Sequence, residues 1–150
     1  CAQGAGRGAQ QGHLQGEVMT AIVLDSYALM AFFEGEPGAD TVRKMLLDAE
    51  NGKCRLLLCV VNLGEIWYSI ARVKDAKTAD RYIDEVRGMA IEVLDADWEI
   101  TRQAAAFKSI GGLAYADCYA AAVAALNDAN LVTGDREFEK VEGEIKIVWL

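Results

Sequence analysis

From Met19 to Leu150, short runs of β-branched and aliphatic residues alternate with longer stretches of helical period. A chain patterned this way folds as an α/β domain, because parallel strands need long crossovers and helices are the usual way to make them. Five strands are expected, at Ala21–Leu24, Arg55–Val61, Ile91–Leu94, Leu131–Thr133 and Lys146–Trp149. Between them, Val42, Met45, Leu46 and Ala49 make one helical stripe, with Pro37 suited to its first turn and Gly52 as its stop. Leu63, Ile66, Trp67 and Ile70 make a second stripe. Ala79, Tyr82, Ile83 and Val86 repeat the spacing before Gly88, and Ile100, Ala104 and Phe107 before Gly111 and Gly112. An alanine-rich helix is expected over Tyr115–Leu126. At 150 residues and 53% hydrophobic content the chain fits one domain, able to bury roughly 70% of its unfolded surface without disulfides or a structural zinc.

Residues 1–18 stand apart. They hold four of the five glutamines and five of the fourteen glycines but no aromatic residue, which reads as a disordered leader or an added tag ahead of a natural start at Met19. The single histidine, His13, lies in this leader. Ser-His-Asp and Cys-His nucleophile systems and imidazole-rich zinc sites are thereby excluded, so acid–base or metal chemistry falls to carboxylates. Cys1, Cys54, Cys59 and Cys118 contain no C-x-x-C pair, and three of them sit in apolar segments; free thiols in a reducing cytoplasm are expected. No run approaches the roughly 20 apolar residues of a membrane span. The net charge of −8 rules out gripping nucleic acid by bulk charge, so any RNA contact has to be local.

The C-terminal ends of parallel strands and the starts of the helices that follow lie along one edge of the sheet, where open α/β sheets bind ligands. Four acids map to that edge. Asp25 closes the first strand and Asp135 follows the fourth; Glu65 is expected in the first turn of the helix after the second strand, and Asp117 in the first turn of the alanine-rich helix. Each has a structural alternative. Asp25 suits a helix N-cap, Asn62 and Glu65 fit a capping box with Asn62 as the cap, and Asp135 in Thr133-Gly134-Asp135-Arg136 suits a turn. Asp117 is harder to explain away, since its helical neighbours Ala120, Ala121 and Ala124 form a stripe of small residues made for close packing. Two carboxylates at ~4 Å repel by ~4 kcal/mol at an effective dielectric near 20, so acids gathered in one place require a proton or a cation. Mg²⁺ or Mn²⁺ fits an oxygen-only set, and such ions are commonly completed by substrate phosphate.

Four segments, Ile22–Leu29, Asn62–Ile66, Leu113–Ala122 and Leu131–Phe138, stand in the order and spacing of a PIN-domain ribonuclease, and the chain most resembles the VapC-type toxins of type II toxin–antitoxin systems. The resemblance spans Met19 to Leu150. It implies a PIN domain over residues 19–150, a three-layer fold with a five-stranded, mainly parallel sheet flanked by helices, and a Mg²⁺- or Mn²⁺-dependent endoribonuclease leaving 3′-hydroxyl and 5′-phosphate ends. By motif, Asp25 and Asp117 look like direct metal ligands, with Glu65 and Asp135 completing the pocket directly or through water. Ser26 and Thr133 match small hydroxyl positions that orient the acids, Asn62 stands where many relatives carry Ser or Thr, and Glu137 is an extra acid. The resemblance further implies a homodimer and neutralisation by a VapB-type antitoxin that inserts a basic side chain into the acidic pocket.

Arg72, Lys74, Lys77, Arg81 and Arg87 form the densest basic stretch; they either line an RNA approach or, with Asp75, Asp80, Asp84 and Glu85 among them, form a solvated helix face. Tyr115, Tyr119, Trp67 and Tyr68 read as core or interface residues. Two rival classes are an α/β interaction module whose acids are only caps, and a phosphoaspartate phosphatase or receiver domain using Asp25. The second is opposed by Tyr27, which occupies the place where such phosphatases carry their second acid.

Overall fold

The computed structural model describes residues 19–150, and the leader expected over residues 1–18 lies outside them. Five strands, β1 (Ala21–Leu24), β2 (Arg55–Cys59), β3 (Ile91–Leu94), β4 (Asn130–Thr133) and β5 (Ile147–Trp149), form one sheet in the order β3-β2-β1-β4-β5. Every pairing is parallel. The helices are α1 (Ser26–Glu34), α2 (Ala39–Glu50), α3 (Val60–Val73), α4 (Ala76–Gly88), α5 (Trp98–Ile110) and α6 (Tyr115–Leu126), and a 3-10 turn covers Arg136–Val141.

Side chains alternate along each strand, so the register sorts the core into two halves. Val23, Leu57 and Leu131 are aligned across β1, β2 and β4 and pack with Ala104, Phe107 and the α6 alanines. Leu24 and Val132 face the other way, with Leu56 and Leu58, toward Leu29, Val42, Leu63 and Ile66. Helices α1 to α4 therefore cover one face and α5 with α6 the other. Right-handed crossovers require this division: the chain steps from β1 through β2 to β3 in one direction, then returns across the sheet to β4. The small side chains Ala120, Ala121 and Ala124 are fully buried and let α6 lie close against β1, β2 and β4, directly over the middle of the sheet.

Two local expectations are corrected. The second strand ends at Cys59, because Val60 and Val61 are already helical; their β-branched propensity yields to the helical phase that buries Leu63, Ile66 and Ile70. Pro37 does not open α2, whose N-cap is Gly38 at φ 97°; the proline sits in the turn ahead. Helix α1, for which the sequence supplied only a capping residue, starts at Asp25, which accepts from the Ala28 amide, and ends on Gly35 in the left-handed region. No helix among the described residues is long and apolar enough to cross a membrane. Cys54, Cys59 and Cys118 are buried free thiols.

Candidate active site

Strands β1 and β4 are neighbours whose connections leave toward opposite sides of the sheet, and the crevice at such a switch point is where an open α/β sheet offers its ligand site. Asp25 follows the last residue of β1, and Asp135 stands two residues beyond β4. Asp25 is 1% exposed. Its Oδ1 accepts from the Ala28 amide at 2.9 Å, as a helix cap does, while its Oδ2 accepts from Thr133 Oγ1 across the switch point. Thr133 Oγ1 in turn accepts from the Asp135 amide at 3.0 Å, so one buried hydroxyl joins the ends of both strands. Asp135 caps the 3-10 turn through the Glu137 amide at 2.9 Å, and this tight turn swings Glu137 back toward it.

On α6, Asp117 occupies the first turn, as expected, but α3 is phased differently from the sequence reading. The helix begins at Val60, so Glu65 lies in its second turn and Asn62 is no cap. Asn62 is instead buried within the first turn, where its Nδ2 donates to Glu65 Oε1 at 2.9 Å and to the Ala116 carbonyl at 3.1 Å. It thereby ties α3 to the start of α6, one residue before Asp117; its Oδ1 is buried without a partner among the described residues. Ser26 Oγ also donates to Glu65 Oε1, at 3.1 Å.

Carboxylate oxygens of Asp117, Asp135 and Glu137 all lie within 4.8 Å of one another. Asp25 and Glu65 border this triad: Asp117 and Asp135 act on Asp25, and Glu65, Asp135 and Glu137 act on Asp117. Burial pushes the Asp25 carboxyl up to about 7, even though the Thr133 and Ala28 hydrogen bonds pull the other way. Burial, then the repulsion of Glu65, Asp135 and Glu137, likewise pushes Asp117 up to about 7. Asp117 is only 9% exposed, and among the described residues its side chain takes no hydrogen bond and no Lys or Arg forms a salt bridge with any of the five acids. Two buried carboxylates, with Asp135 and Glu65 half-buried and Glu137 exposed beside them, have no counter-charge among the described residues, and an oxygen-only set of this kind suits a hard divalent cation.

Lys140 Nζ, on the 3-10 turn, donates to the Gly112 carbonyl and Lys108 Nζ to the Leu113 carbonyl, both at 2.8 Å, which braces the loop leading into α6. Nothing in the sequence links Lys140 to Gly112. The basic residues Arg72, Lys74, Lys77 and Arg81 are exposed at the end of α3 and the start of α4. Arg72 lies seven residues beyond Glu65, roughly 10 Å further along the helix axis. Lys74 lies over the Tyr82 ring, 5.2 Å from its centroid, and Arg81 donates to Thr78 Oγ1 at 3.4 Å.

The family model for the PIN domain matches residues 22–144. This chain belongs to the PIN domain family. The matched region of the PIN domain runs from β1 past the 3-10 turn and takes in all five acids. No curated protein matches the sequence. Among solved structures, VapBC2 from Rickettsia felis, bound to a DNA fragment from its promoter, aligns with a TM-score of 0.69 at 16% identity, over 87% of this PIN domain chain and 99% of its own. DNA-bound VapBC from Salmonella typhimurium aligns with a TM-score of 0.66 at 21% identity, over 87% and 98%. VapC20 from Mycobacterium tuberculosis, described as a sarcin-ricin loop cleaving toxin, aligns with a TM-score of 0.62 at 16% identity, over 80% and 94%. At these identities the likeness is one of fold.

Proposed function

We propose that this PIN domain is a divalent-metal-dependent endoribonuclease acting as the toxin of a toxin–antitoxin pair. The observation that carries the reading is Asp117, a nearly buried carboxylate that has no hydrogen bond or counter-ion among the described residues, set among four further acids at the switch point of the sheet. Caps do not account for it. Asp25 and Asp135 do cap, but Glu65 and Asp117 cap nothing, and each would be cheaper to place in solvent.

In this reading Asp25, Asp117, Asp135 and Glu137 hold a Mg²⁺ or Mn²⁺ ion, with Glu65 directly or through water. When bound, the ion supplies charge neutralisation at a scissile phosphate and lowers the pKa of a coordinated water. The protein's own residues do the positioning. Thr133 fixes Asp25 and the Asp135 amide with one hydroxyl, and Ser26 and Asn62 hold Glu65. With no histidine among the described residues, no imidazole shares the proton work.

The deciding experiment is incubation with structured RNA, beginning with a sarcin–ricin-type stem-loop and tRNA, in Mn²⁺, in Mg²⁺ and in EDTA. Discrete cleavage with 5′-phosphate ends in one or both metals and none in EDTA is expected; intact RNA in every condition contradicts the proposal. The unbalanced negative pocket also suits an arginine or lysine from a VapB-type antitoxin, and we place the homodimer and a cytoplasmic setting in the same proposal. Thr133→Val removes the hydroxyl that serves both strand ends. Partners of this kind typically carry 10–100-fold in metal affinity or activity, so a drop of about that size in Mn²⁺ affinity, with the fold retained, is expected by calorimetry.

A further inference from the structure

Tyr27 is an aromatic residue beside the acids to which neither the core nor the metal site assigns a role. It occupies the first turn of α1, two residues from Asp25 and next to Ser26. Its ring lies on Gly134, the residue between Thr133 and Asp135. A Cβ on residue 134 would fall 2.6 Å from Tyr27 Cζ and closer still to Cε1. Gly134 does not have a positive φ, so the backbone alone does not demand glycine there. The missing side chain is a seat for the phenol. The ring is held against the ends of β1 and β4, yet the residue stays 42% exposed and its hydroxyl has no hydrogen-bond partner among the described residues. An exposed ring at a fixed place beside the acids offers a flat face on which a planar group can stack.

We propose that Tyr27 is a substrate-contacting residue whose ring, seated on Gly134, stacks on a nucleobase flanking the phosphodiester bond at the acids. This rests on the endoribonuclease reading and adds to it a device for holding RNA. Beyond the single phosphate that the ion would serve, the acids repel phosphates, and among the described residues no lysine or arginine forms a salt bridge with them, so a contact through a base face adds attraction that the protein's own charge does not. Single-stranded loops offer such splayed bases, which points to a loop or bulge nucleotide as the occupant.

The test measures RNA affinity separately from cleavage. In an Asp25→Asn, Asp117→Asn background that cannot turn over, Tyr27→Ala should weaken binding of a stem-loop RNA by roughly tenfold to a hundredfold, the range that removal of a base-stacking aromatic causes. In the active protein the same change should raise KM by a similar factor while Mn²⁺ affinity holds. Tyr27→Phe and Tyr27→Trp should retain binding, and Gly134→Ala, which displaces the ring without removing it, should fall between. The slope of log affinity against log salt should not change, because no phosphate contact is lost. Should Tyr27→Ala disturb the fold, Gly134→Ala carries the comparison. RNA bound equally by Tyr27→Ala and its parent overturns the stacking role and leaves the nuclease reading intact, as does loss of binding in Tyr27→Phe, which would assign the effect to the hydroxyl. An otherwise unaltered protein that neither binds nor cuts RNA overturns both.

Discussion

Asp25→Asn combined with Asp117→Asn is expected to abolish Mn²⁺ binding and RNA cleavage and, in EDTA at pH 8, to raise the melting temperature. The two effects have opposite signs, and that is what makes the variant informative. Asn preserves the shape of both side chains and is as good an N-cap as Asp, so the bond from the Ala28 amide survives. Thr133 can still be served, since its hydroxyl can accept from an amide. What disappears is charge that burial already disfavours at both positions. Loss of activity should exceed the roughly 10–100-fold typical of an outer partner, because the carboxylates themselves are removed. Calorimetric titration with Mn²⁺, a cleavage assay and a thermal melt on the same preparation check all three. Unchanged cleavage would remove the site assignment. A lowered melting temperature would mean that the ionised carboxylates stabilise the fold through partners an amide cannot replace.

The second large effect is on stability against pH. Asp25 and Asp117 are raised to about 7 in the folded state, whereas an unfolded Asp titrates near the ordinary 3.8. Between these values the native protein binds more protons than the unfolded chain, so the stability of the metal-free protein falls as pH rises from about 4 to above 7, and levels off once both states have lost the protons. For Asp25, almost wholly buried, the loss is on the order of 4 kcal/mol, enough to lower Tm by roughly 10 °C in a domain of this size. Divalent cation should reverse the trend. Metal binds the ionised acids, so saturating Mn²⁺ stabilises more at pH 8 than at pH 5. Thermal melts at pH 5, 6.5 and 8, with EDTA and with Mn²⁺, give the comparison. A metal-free protein that is most stable at pH 8 would show that these carboxyls already have partners.

Asp25, Asp117 and Asp135 were legible in the sequence because each is tied to a strand end or a helix start that hydrophobic pattern alone can locate. Their convergence follows from topology, since parallel strands put those positions on one edge. Glu65 was expected in the first turn of its helix but lies in the second, because two β-branched valines disguised where the helix began. A capping box with Asn62 was the structural alternative; the same i, i+3 spacing brings the two residues together on one helical face, where Asn62 instead clamps Glu65 and the Ala116 carbonyl. Glu137 could be named as an acid but not placed, because the 3-10 turn that returns it to Asp135 has no hydrophobic period to reveal it. The braces from Lys140 to Gly112 and from Tyr27 to Gly134 join segments distant in sequence, and no local pattern announces either.

The hydroxyl bridge from Thr133 to Asp25 closes a loop of 108 residues. Contacts so far apart in sequence form late, after the entropy of that closure has been met. The pocket is therefore not a property of any fragment: a chain that has paired β1 with β2 but not yet β1 with β4 has Asp25 on one piece and Asp117 and Asp135 on another. Under the nuclease proposed above, partly folded molecules would lack an assembled pocket, and activity would begin only with the completed native state.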